Sequence, residues 1–178
     1  MSRGTMTSPT MTSPTTTSLT TNEGSADADR LVAVQRAVGS VDDPEYPGVS
    51  IVDLGLLERC TVDDAGNVTV DLVPTFSGCP ALGIIAADVS AAVQAAPGVG
   101  AVTVNWLTVP VWTTDRVTPA GAAALADRFT VAVEIGRNSP TCPRCGAELV
   151  PQTMFGPSRC RSVSRCSACQ ETVEVMRA

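Results

Sequence analysis

Four cysteines near the C-terminal end form two matched pairs, Cys142-Pro-Arg-Cys145 and Cys166-Ser-Ala-Cys169, separated by 20 residues. Two thiols spaced by two residues can bind one metal ion from a tight turn, and a loop of this length brings a second turn opposite the first. The sequence contains no histidine, so a metal ion here must be held by sulfur or carboxylate. We therefore predict a four-thiolate site for structural zinc or for iron–sulfur chemistry. Cys160, between the pairs, is an alternative ligand that we rank as a non-ligand.

A disulfide framework is the alternative interpretation of these pairs, and several observations disfavour it. Seven cysteines is an odd number, and a chain of 178 residues is long enough to fold without covalent crosslinks. The Thr/Ser/Pro-rich N-terminal segment lacks the apolar region of a secretory signal. A thioredoxin-like redox site would need one such pair beside a βαβ unit rather than two facing pairs. We therefore expect metal ligation in a reducing, cytoplasmic compartment.

A separate cysteine, Cys79, precedes the strongest helical pattern of the sequence. Pro80 suits the first position of a helix, which would place Cys79 at or beside the N-cap. Backbone N–H groups and the helix dipole can lower the pKa of a thiol there, and Gly78 would let the backbone approach a ligand closely. Cys79 is therefore a candidate reactive or metal-donating thiol. A small buried hydrophobe is an equally weighted interpretation.

One carboxylate, Asp53, interrupts the apolar stretch from Ile51 to Leu57. Its side chain either caps a local turn or faces a site shared with Cys79, and physical considerations alone favour the turn. Cys60 lies inside a predicted strand, where packing is the favoured role.

The composition excludes several classes of function. All twelve basic residues are arginine, and lysine and histidine are absent. This removes a P-loop lysine, a Schiff base, a histidine-based triad and the Glu-x-x-His motifs of di-iron oxygenases. No Gly-x-Gly-x-x-Gly pattern supports a nucleotide-dependent reductase. Aromatic residues make up only 3% of the chain, which leaves few platforms for stacking single-stranded nucleic acid.

The charge is divided unevenly along the chain. Residues 27–135 contain fourteen acidic side chains and five arginines, a net charge of -9, whereas residues 136–178 contain six arginines and three glutamates, a net charge of +3. An acidic main body does not suit nucleic acid. No apolar run is long enough to span a membrane. We therefore expect protein partners, and the sequence leaves open whether the chain forms a homodimer.

Three regions differ in character. Residues 1–26 repeat Met-Thr-Ser-Pro-Thr and cannot bury enough apolar surface to fold, which predicts a disordered low-complexity tail. Residues 27–135 carry helical and alternating patterns typical of an α/β domain. Residues 136–178 contain the paired cysteines and are predicted to form a zinc-ribbon-like module.

The hydrophobic patterns of the middle region predict the order α-β-β-α-β-α in two layers, an α+β fold. Asp27 or Asp29 is predicted to cap the first helix, and Thr118-Pro119 to begin the last. The segment Asp42-Asp43-Pro44-Glu45 is expected to break regular structure. Residues 129–135 fit either a short strand or a linker.

Four motifs occur in order along the chain: Asp42-Asp43-Pro44-Glu45, Ser50-Ile51-Val52-Asp53-Leu54-Gly55-Leu56, Thr75-Phe76-Ser77-Gly78-Cys79-Pro80 and Val109-Pro110-Val111-Trp112. Together they resemble the metal–sulfur cluster biosynthesis family, small α/β domains associated with iron–sulfur protein assembly, and the resemblance covers roughly residues 27–130. The C-terminal extension contains Cys142-Pro-Arg-Cys145-Gly146, Phe155-Gly156-Pro157-Ser158-Arg159-Cys160 and Arg165-Cys166-Ser-Ala-Cys169. With these motifs it is similar to the branch that forms the D component of the ring-1,2-phenylacetyl-CoA epoxidase system of phenylacetate catabolism.

The resemblance implies an accessory role, in which the protein helps to mature the iron–sulfur cluster or the di-iron site of partner subunits. It also implies that Cys79 is the reactive thiol and Asp53 its neighbouring carboxylate. The expected cofactors are zinc in the tetrathiolate site and iron or an iron–sulfur cluster held transiently at Cys79. We favour a non-catalytic assembly factor over two alternatives, a rubredoxin-like electron-transfer protein and a purely structural bridging subunit of the oxygenase complex.

Overall fold

A computed structural model describes residue 1 and residues 23–136, 139–157 and 159–177. Residues 2–22 of the predicted disordered tail lie outside the described residues, whereas residues 23–26, which were also predicted to be disordered, belong to the first helix. The elements are α1 (Glu23–Gly39), β1 (Asp42–Asp43), β2 (Tyr46–Ser50), β3 (Leu57–Val62), β4 (Val68–Leu72), α2 (Leu82–Gln94), β5 (Val102–Trp106), a 3-10 turn (Thr114–Arg116), α3 (Pro119–Phe129), β6 (Val131–Val133), β7 (Leu149–Thr153), β8 (Arg161–Cys166) and β9 (Thr172–Met176).

The first domain, comprising the elements from α1 to α3, is built on the three-stranded sheet β3-β4-β5. Strands β3 and β4 pair antiparallel, while β4 and β5 pair parallel and are joined through α2. Val68, Val70 and Leu72 alternate on β4 and are almost completely buried, which is what their spacing predicts for one face of a sheet. Helices α1 and α2 contact this sheet and each other. The predicted α+β fold and its two-layer arrangement are confirmed.

Two of the expected helix starts in the first domain were wrong. Helix α1 begins at Glu23, so Asp27 and Asp29 lie inside it rather than at its start. Helix α2 begins at Leu82, two residues after Pro80, because residues 79–82 form a separate turn in front of it.

The segment predicted to be irregular instead forms the antiparallel β1–β2 hairpin. Its two aspartates hold the connecting chain. The Asp43 carboxylate accepts a hydrogen bond from the Glu45 N–H at 2.8 Å, and the Asp42 carboxylate accepts one from the Gly48 N–H at 2.7 Å. Hydrophobic periodicity could not reveal this hairpin, since side-chain hydrogen bonds to the backbone stabilise it.

The ribbon, comprising β6 to β9 and their connections, is a four-stranded sheet in the order β6-β9-β8-β7. Strand β6 resolves the ambiguity over residues 129–135: Val131–Val133 is a strand, and it pairs parallel with β9. A second small core lies inside this sheet around Leu149, Cys166 and Val173. The domain boundary predicted at residue 136 falls after β6, so the sheet of the ribbon begins before it.

The ribbon packs directly onto the first domain. Met176 of β9 is 1% exposed and belongs to the hydrophobic core of the first domain, together with Tyr46 and Val131. The rings of Tyr46 and Phe129 meet edge to face, with their centroids 5.2 Å apart. The two modules therefore share apolar surface. Among the described residues, no helix has the length and apolar character needed to cross a membrane.

Candidate functional site

Four sulfur atoms converge at one end of the ribbon sheet. The Sγ atoms of Cys142, Cys145, Cys166 and Cys169 all lie within 4.8 Å of one another. Cys142 and Cys169 are 3.7 Å apart, and Cys145 and Cys166 are 3.4 Å apart. A disulfide bond is about 2.05 Å long, and none of the seven cysteines, all of which the structure describes, forms one. The four predicted ligands are thus brought together as separate thiols.

The spacing of these sulfur atoms fits a tetrahedral metal ion. Thiolates bonded to zinc at about 2.3 Å in tetrahedral geometry lie about 3.8 Å from one another. The two measured separations, 3.7 and 3.4 Å, are within a few tenths of that value. Because the donors are four sulfur atoms and no open position is left, the set suits a retained zinc ion or tetrathiolate iron. Such an ion would join the two cysteine turns.

Each cysteine pair lies on a turn that is completed by a residue in the left-handed conformation. After Cys145, Gly146 has φ 73° and donates its N–H to the Cys142 carbonyl oxygen at 2.8 Å. After Cys169, Gln170 has φ 62°, which few residues other than glycine adopt. Two hydrogen bonds fix the Gln170 side chain: its Oε1 accepts from the Arg165 guanidinium at 2.9 Å, and its Nε2 donates to the Ser167 carbonyl at 3.1 Å.

The four thiols cannot all ionise independently, because they lie so close together. Burial opposes ionisation of Cys166, but hydrogen bonds from the backbone N–H groups of Cys169 and Ala168 lower its pKa to about 6. Cys169 behaves in the opposite way: a backbone N–H from Glu171 lowers its pKa, but the neighbouring Cys166 thiol outweighs this, with burial and the other thiols adding to it, and the pKa rises to about 12. A cation is needed to hold all four as thiolates.

The isolated thiol, Cys79, lies in the turn that leads into α2. Its N–H donates to the Phe76 carbonyl at 3.1 Å, and its own carbonyl accepts from the Leu82 N–H at 3.3 Å. The N-cap residue of α2 is Ala81, so Cys79 lies two residues before the N-cap, whereas the sequence predicted it to lie at or beside the N-cap. A Cβ atom on Gly78 would lie 2.8 Å from the Phe76 ring. Gly78 therefore makes room for Phe76 rather than for a ligand.

The predicted lowering of the Cys79 pKa is wrong. Burial raises the pKa of this half-buried thiol, and the hydrogen bond from the Ala81 N–H only partly offsets that effect. Negative charge on Glu45, Asp43 and Cys160 raises it further. At neutral pH, Cys79 is a protonated thiol, and a bound cation would favour its ionisation.

Cys79 opens onto a cavity of about 230 Å³ between the first domain and the ribbon. The first domain contributes Cys79, Phe76 and Glu45 to its lining, and the ribbon contributes Arg159 and Cys160. Cys160, the C-terminal cysteine outside the two pairs, therefore lines the same cavity as Cys79. It does not belong to the four-sulfur cluster found among the described residues.

The arginines on either side of Cys160 both contact the first domain. The guanidinium of Arg159 lies 5.8 Å from the centre of the Phe76 ring. Arg161 is buried and binds Glu45 at 3.0 Å and Glu174 of the ribbon at 2.6 Å. Its guanidinium also lies over the ring of Tyr46, 5.1 Å from the centroid. These contacts hold the cavity walls together.

Asp53 lies elsewhere, at the start of α3. Its carboxylate accepts a 2.6 Å hydrogen bond from the Thr118 hydroxyl, and its carbonyl accepts the Thr118 N–H at 2.9 Å. The same hydroxyl accepts the Gly121 N–H at 3.0 Å and so caps the helix, as the Thr118-Pro119 motif predicts. Asp53 therefore supports a cap, and it does not line the cavity around Cys79. Its assignment as the neighbouring carboxylate stays a prediction.

Three residues around Cys79 were not predicted from the sequence: Glu45, Arg159 and Arg161. Glu45 is the carboxylate that lines the cavity, and Arg161 binds it. The tripeptide Arg159-Cys160-Arg161 offered one indication, because it places a thiol between two positive charges. Nothing in the sequence indicated that this tripeptide faces the first domain.

Comparison with known proteins agrees with both halves of this architecture. Residues 31–106 match the family described as iron-sulfur cluster assembly protein, and residues 127–177 match the PaaD zinc beta ribbon domain. An Escherichia coli protein provisionally named as the D component of 1,2-phenylacetyl-CoA epoxidase is 31% identical over 144 residues, which cover 75% of this chain and 84% of that protein.

Two further relatives match the first domain. The Staphylococcus aureus Fe-S protein maturation auxiliary factor SufT is 38% identical over 85 residues, or 48% of this chain and 96% of that protein. The crystal structure of a domain of unknown function, DUF59, from Bacillus anthracis superposes with a TM-score of 0.55 at 30% identity and covers 59% of this chain and 99% of that one. The chain therefore belongs to the iron–sulfur cluster assembly family and joins a domain of that family to a PaaD-type zinc ribbon.

Proposed function

We propose that this protein is an accessory factor that supplies iron or an iron–sulfur cluster to partner subunits of a multicomponent ring-1,2-phenylacetyl-CoA epoxidase. Cys79 is the thiol that receives the iron, and the ribbon tetrathiolate holds zinc. The protein acts by contact with other proteins in the reducing cytoplasm. The relationship to the E. coli epoxidase component supports the epoxidase as the client, and the relationship to SufT supports maturation as the task.

The observation that carries this proposal is the position of Cys79. The thiol is half-buried at the edge of an open cavity, and its raised pKa keeps it protonated until a cation arrives. A group with these properties can bind a soft metal ion and later release it. The ribbon cysteines, in contrast, would supply all four ligands of a tetrahedral ion and leave no position open for exchange.

Iron content of the client subunits tests the proposal. The epoxidase components are co-expressed with the intact chain, without it, with Cys79→Ala and with Cys60→Ala, a matched cysteine that packs against the core. We expect one component to lose most of its iron when the chain is absent or carries Cys79→Ala, and to stay loaded with Cys60→Ala. Full iron loading of every component without this chain would contradict the proposal.

The same experiment separates a purely structural bridge from an assembly factor. A purely structural bridge would depend on the protein surfaces that contact the other subunits and would not depend on the Cys79 thiol. Epoxidation of phenylacetyl-CoA would then survive Cys79→Ala and be lost only when the whole chain is deleted.

A rubredoxin-like electron carrier is the second candidate, and the ribbon geometry favours it to a limited extent. Four thiolates on two tight turns, one of them completed by Gly146, also suit a single redox-active iron. Metal analysis and visible absorption of anaerobically purified protein distinguish the two functions. One zinc per chain in a colourless protein agrees with assembly, whereas one iron in a coloured, reversibly reducible protein agrees with electron transfer.

A further inference from the structure

Two thiols from different modules share one cavity, although the sequence separates them widely. Cys79 reaches it from the turn before α2, and Cys160 reaches it from the residue immediately before β8. Both side chains are half-buried. Negative charge on Cys160 contributes to the raised pKa of Cys79, which is consistent with their proximity.

The position of Cys160 is fixed from three directions. Its carbonyl oxygen accepts the Arg177 N–H at 3.1 Å, which anchors it at the edge of the ribbon sheet. Arg161, which follows it, is buried in contact with Glu45 and Tyr46 of the first domain. Arg159, which precedes it, lies over Phe76, three residues before Cys79. The thiol thus stands between two contacts that join the modules.

The charges around the cavity are mixed. Glu45 places a carboxylate in the lining, where Arg161 engages one of its oxygen atoms at 3.0 Å, and Arg159 also lines the cavity. The two guanidinium groups favour the thiolate forms of the cysteines, and it is these thiolates that would attract a metal ion. Phe76, Pro80 and Pro157 supply apolar walls, which strengthen the attraction between a cation and thiolates by excluding water.

We propose that Cys79 and Cys160 together form a two-thiolate site, located between the first domain and the ribbon, that holds iron before it is passed to a client protein. The inference rests on the proposed function and adds a second donor to it. Binding of one Fe²⁺ forms two iron–sulfur bonds and releases two thiol protons to solvent, with no change in oxidation state. Two protein ligands leave the remaining coordination positions open to sulfide, water or a client thiolate, so the iron can be passed on.

Cobalt(II) added to anaerobic, zinc-loaded, full-length protein tests the site directly. Zinc in the ribbon outcompetes cobalt, so cobalt is directed to the cavity. We expect thiolate-to-cobalt charge-transfer absorption, and an affinity at least about tenfold weaker for Cys79→Ala and for Cys160→Ala, the loss expected for one of two metal–sulfur bonds. Cys60→Ala should bind cobalt like the wild type. Unchanged binding by Cys160→Ala, or charge-transfer absorption that persists in the double variant, would overturn the proposal.

Cross-linking tests the pairing in the wild-type protein and therefore does not depend on whether a variant folds. Dibromobimane joins two thiols only when they are a few ångströms apart. We expect peptide mass spectrometry of the zinc-loaded protein to find Cys79 joined to Cys160. Modification of each thiol separately, without a joined product, would overturn the pairing.

Experiments with iron show whether the two thiols bind a single iron ion or an iron–sulfur cluster. Mössbauer spectra after addition of Fe²⁺ alone, or of Fe²⁺ with sulfide, distinguish a mononuclear thiolate site from a cluster, and either result that depends on both thiols supports the proposal. Failure of both forms to bind overturns it.

The outcomes also separate this inference from the proposed function. If both thiols bind iron but the epoxidase subunits mature fully without this chain, the two-thiolate site stands and the proposed function fails. If client loading depends on Cys79 while Cys160→Ala binds cobalt like the wild type, the proposed function stands and the site fails.

Discussion

In the ribbon, all four sulfur atoms belong to one small module, whereas the cavity takes Cys79 from the first domain and Cys160 from the ribbon. The ribbon thiols are placed by backbone hydrogen bonds within two tight turns, and these act over a few residues. The cavity thiols are placed by contacts between the modules, especially those of Arg161. The ribbon is therefore suited to retaining a metal ion that stabilises its fold, whereas the cavity is suited to binding a metal ion and releasing it again.

Loss of one ribbon ligand should have the largest effect of any single substitution. Metal binding contributes folding free energy on the order of 10 kcal/mol in small thiolate modules. Cys145→Ser should therefore abolish metal binding and unfold the ribbon, which elemental analysis and limited proteolysis will show. Cys60→Ser is the control and should keep the metal.

The consequences of Cys145→Ser should extend into the first domain. Met176 of the ribbon packs in the core of this domain, and the Arg161 guanidinium lies over the Tyr46 ring. Thermal unfolding of the first domain should shift to lower temperature in Cys145→Ser. An unchanged transition would show that the two modules are energetically independent.

Removal of the Arg161 guanidinium tests the contact between the modules. Arg161→Met keeps the apolar stem but breaks the pairs with Glu45 and Glu174, whose carboxylates can partly rehydrate because they are 41% and 29% exposed. We expect Arg161→Met to lower the free energy of unfolding by about 2 kcal/mol, a value between those typical of buried and of surface ion pairs. Arg144→Met breaks a solvent-exposed pair and should lose less than about 1 kcal/mol in the same thermal measurement.

The raised pKa of Cys79 predicts the pH dependence of its alkylation. Only the thiolate reacts, so the rate of modification by iodoacetamide should rise about tenfold per pH unit and continue to rise above about pH 8.5, the ordinary thiol pKa. The sign follows from burial and from the negative charge on Glu45, both of which favour the protonated form. A rate that levels off below about pH 8 in the metal-free cavity would contradict this environment.

The smallest predicted effect concerns Asp53. Asp53→Ala removes the acceptor for the Thr118 hydroxyl and should lower the free energy of unfolding by about 1 kcal/mol, the usual value for a weakened helix cap. The alkylation rate of Cys79 should not change, since Asp53 does not line its cavity. An altered Cys79 rate would support Asp53 as the neighbouring carboxylate.

Local patterns predicted the parts of the molecule that local interactions build. The alternation of Val68, Val70 and Leu72 revealed a strand, and the Thr118-Pro119 motif placed the start of α3. The spacing of the paired cysteines predicted their convergence, because each pair shares a turn of only a few residues.

The features that the sequence left open or missed depend on distant partners. Strand β6 has three residues and becomes a strand by pairing with β9 at the far end of the ribbon sequence. The sequence predicts Cys160 to be a substitute ribbon ligand or a separate donor but gives no partner for it, whereas docking of the ribbon places it in the same cavity as Cys79. No propensity or spacing encodes such docking. It follows from surfaces that exist only once both modules have folded.

The burial of Met176 in the core of the first domain also bears on how the chain is made. Ribosomes release the first domain before the ribbon, so the part of its core around Tyr46 stays uncovered until β9 has been synthesised and the ribbon has folded around a metal ion. A cell short of that ion would accumulate chains with an exposed apolar face, the kind of surface that chaperones and proteases bind. Quality control would thus remove the chains whose ribbon lacks its ion.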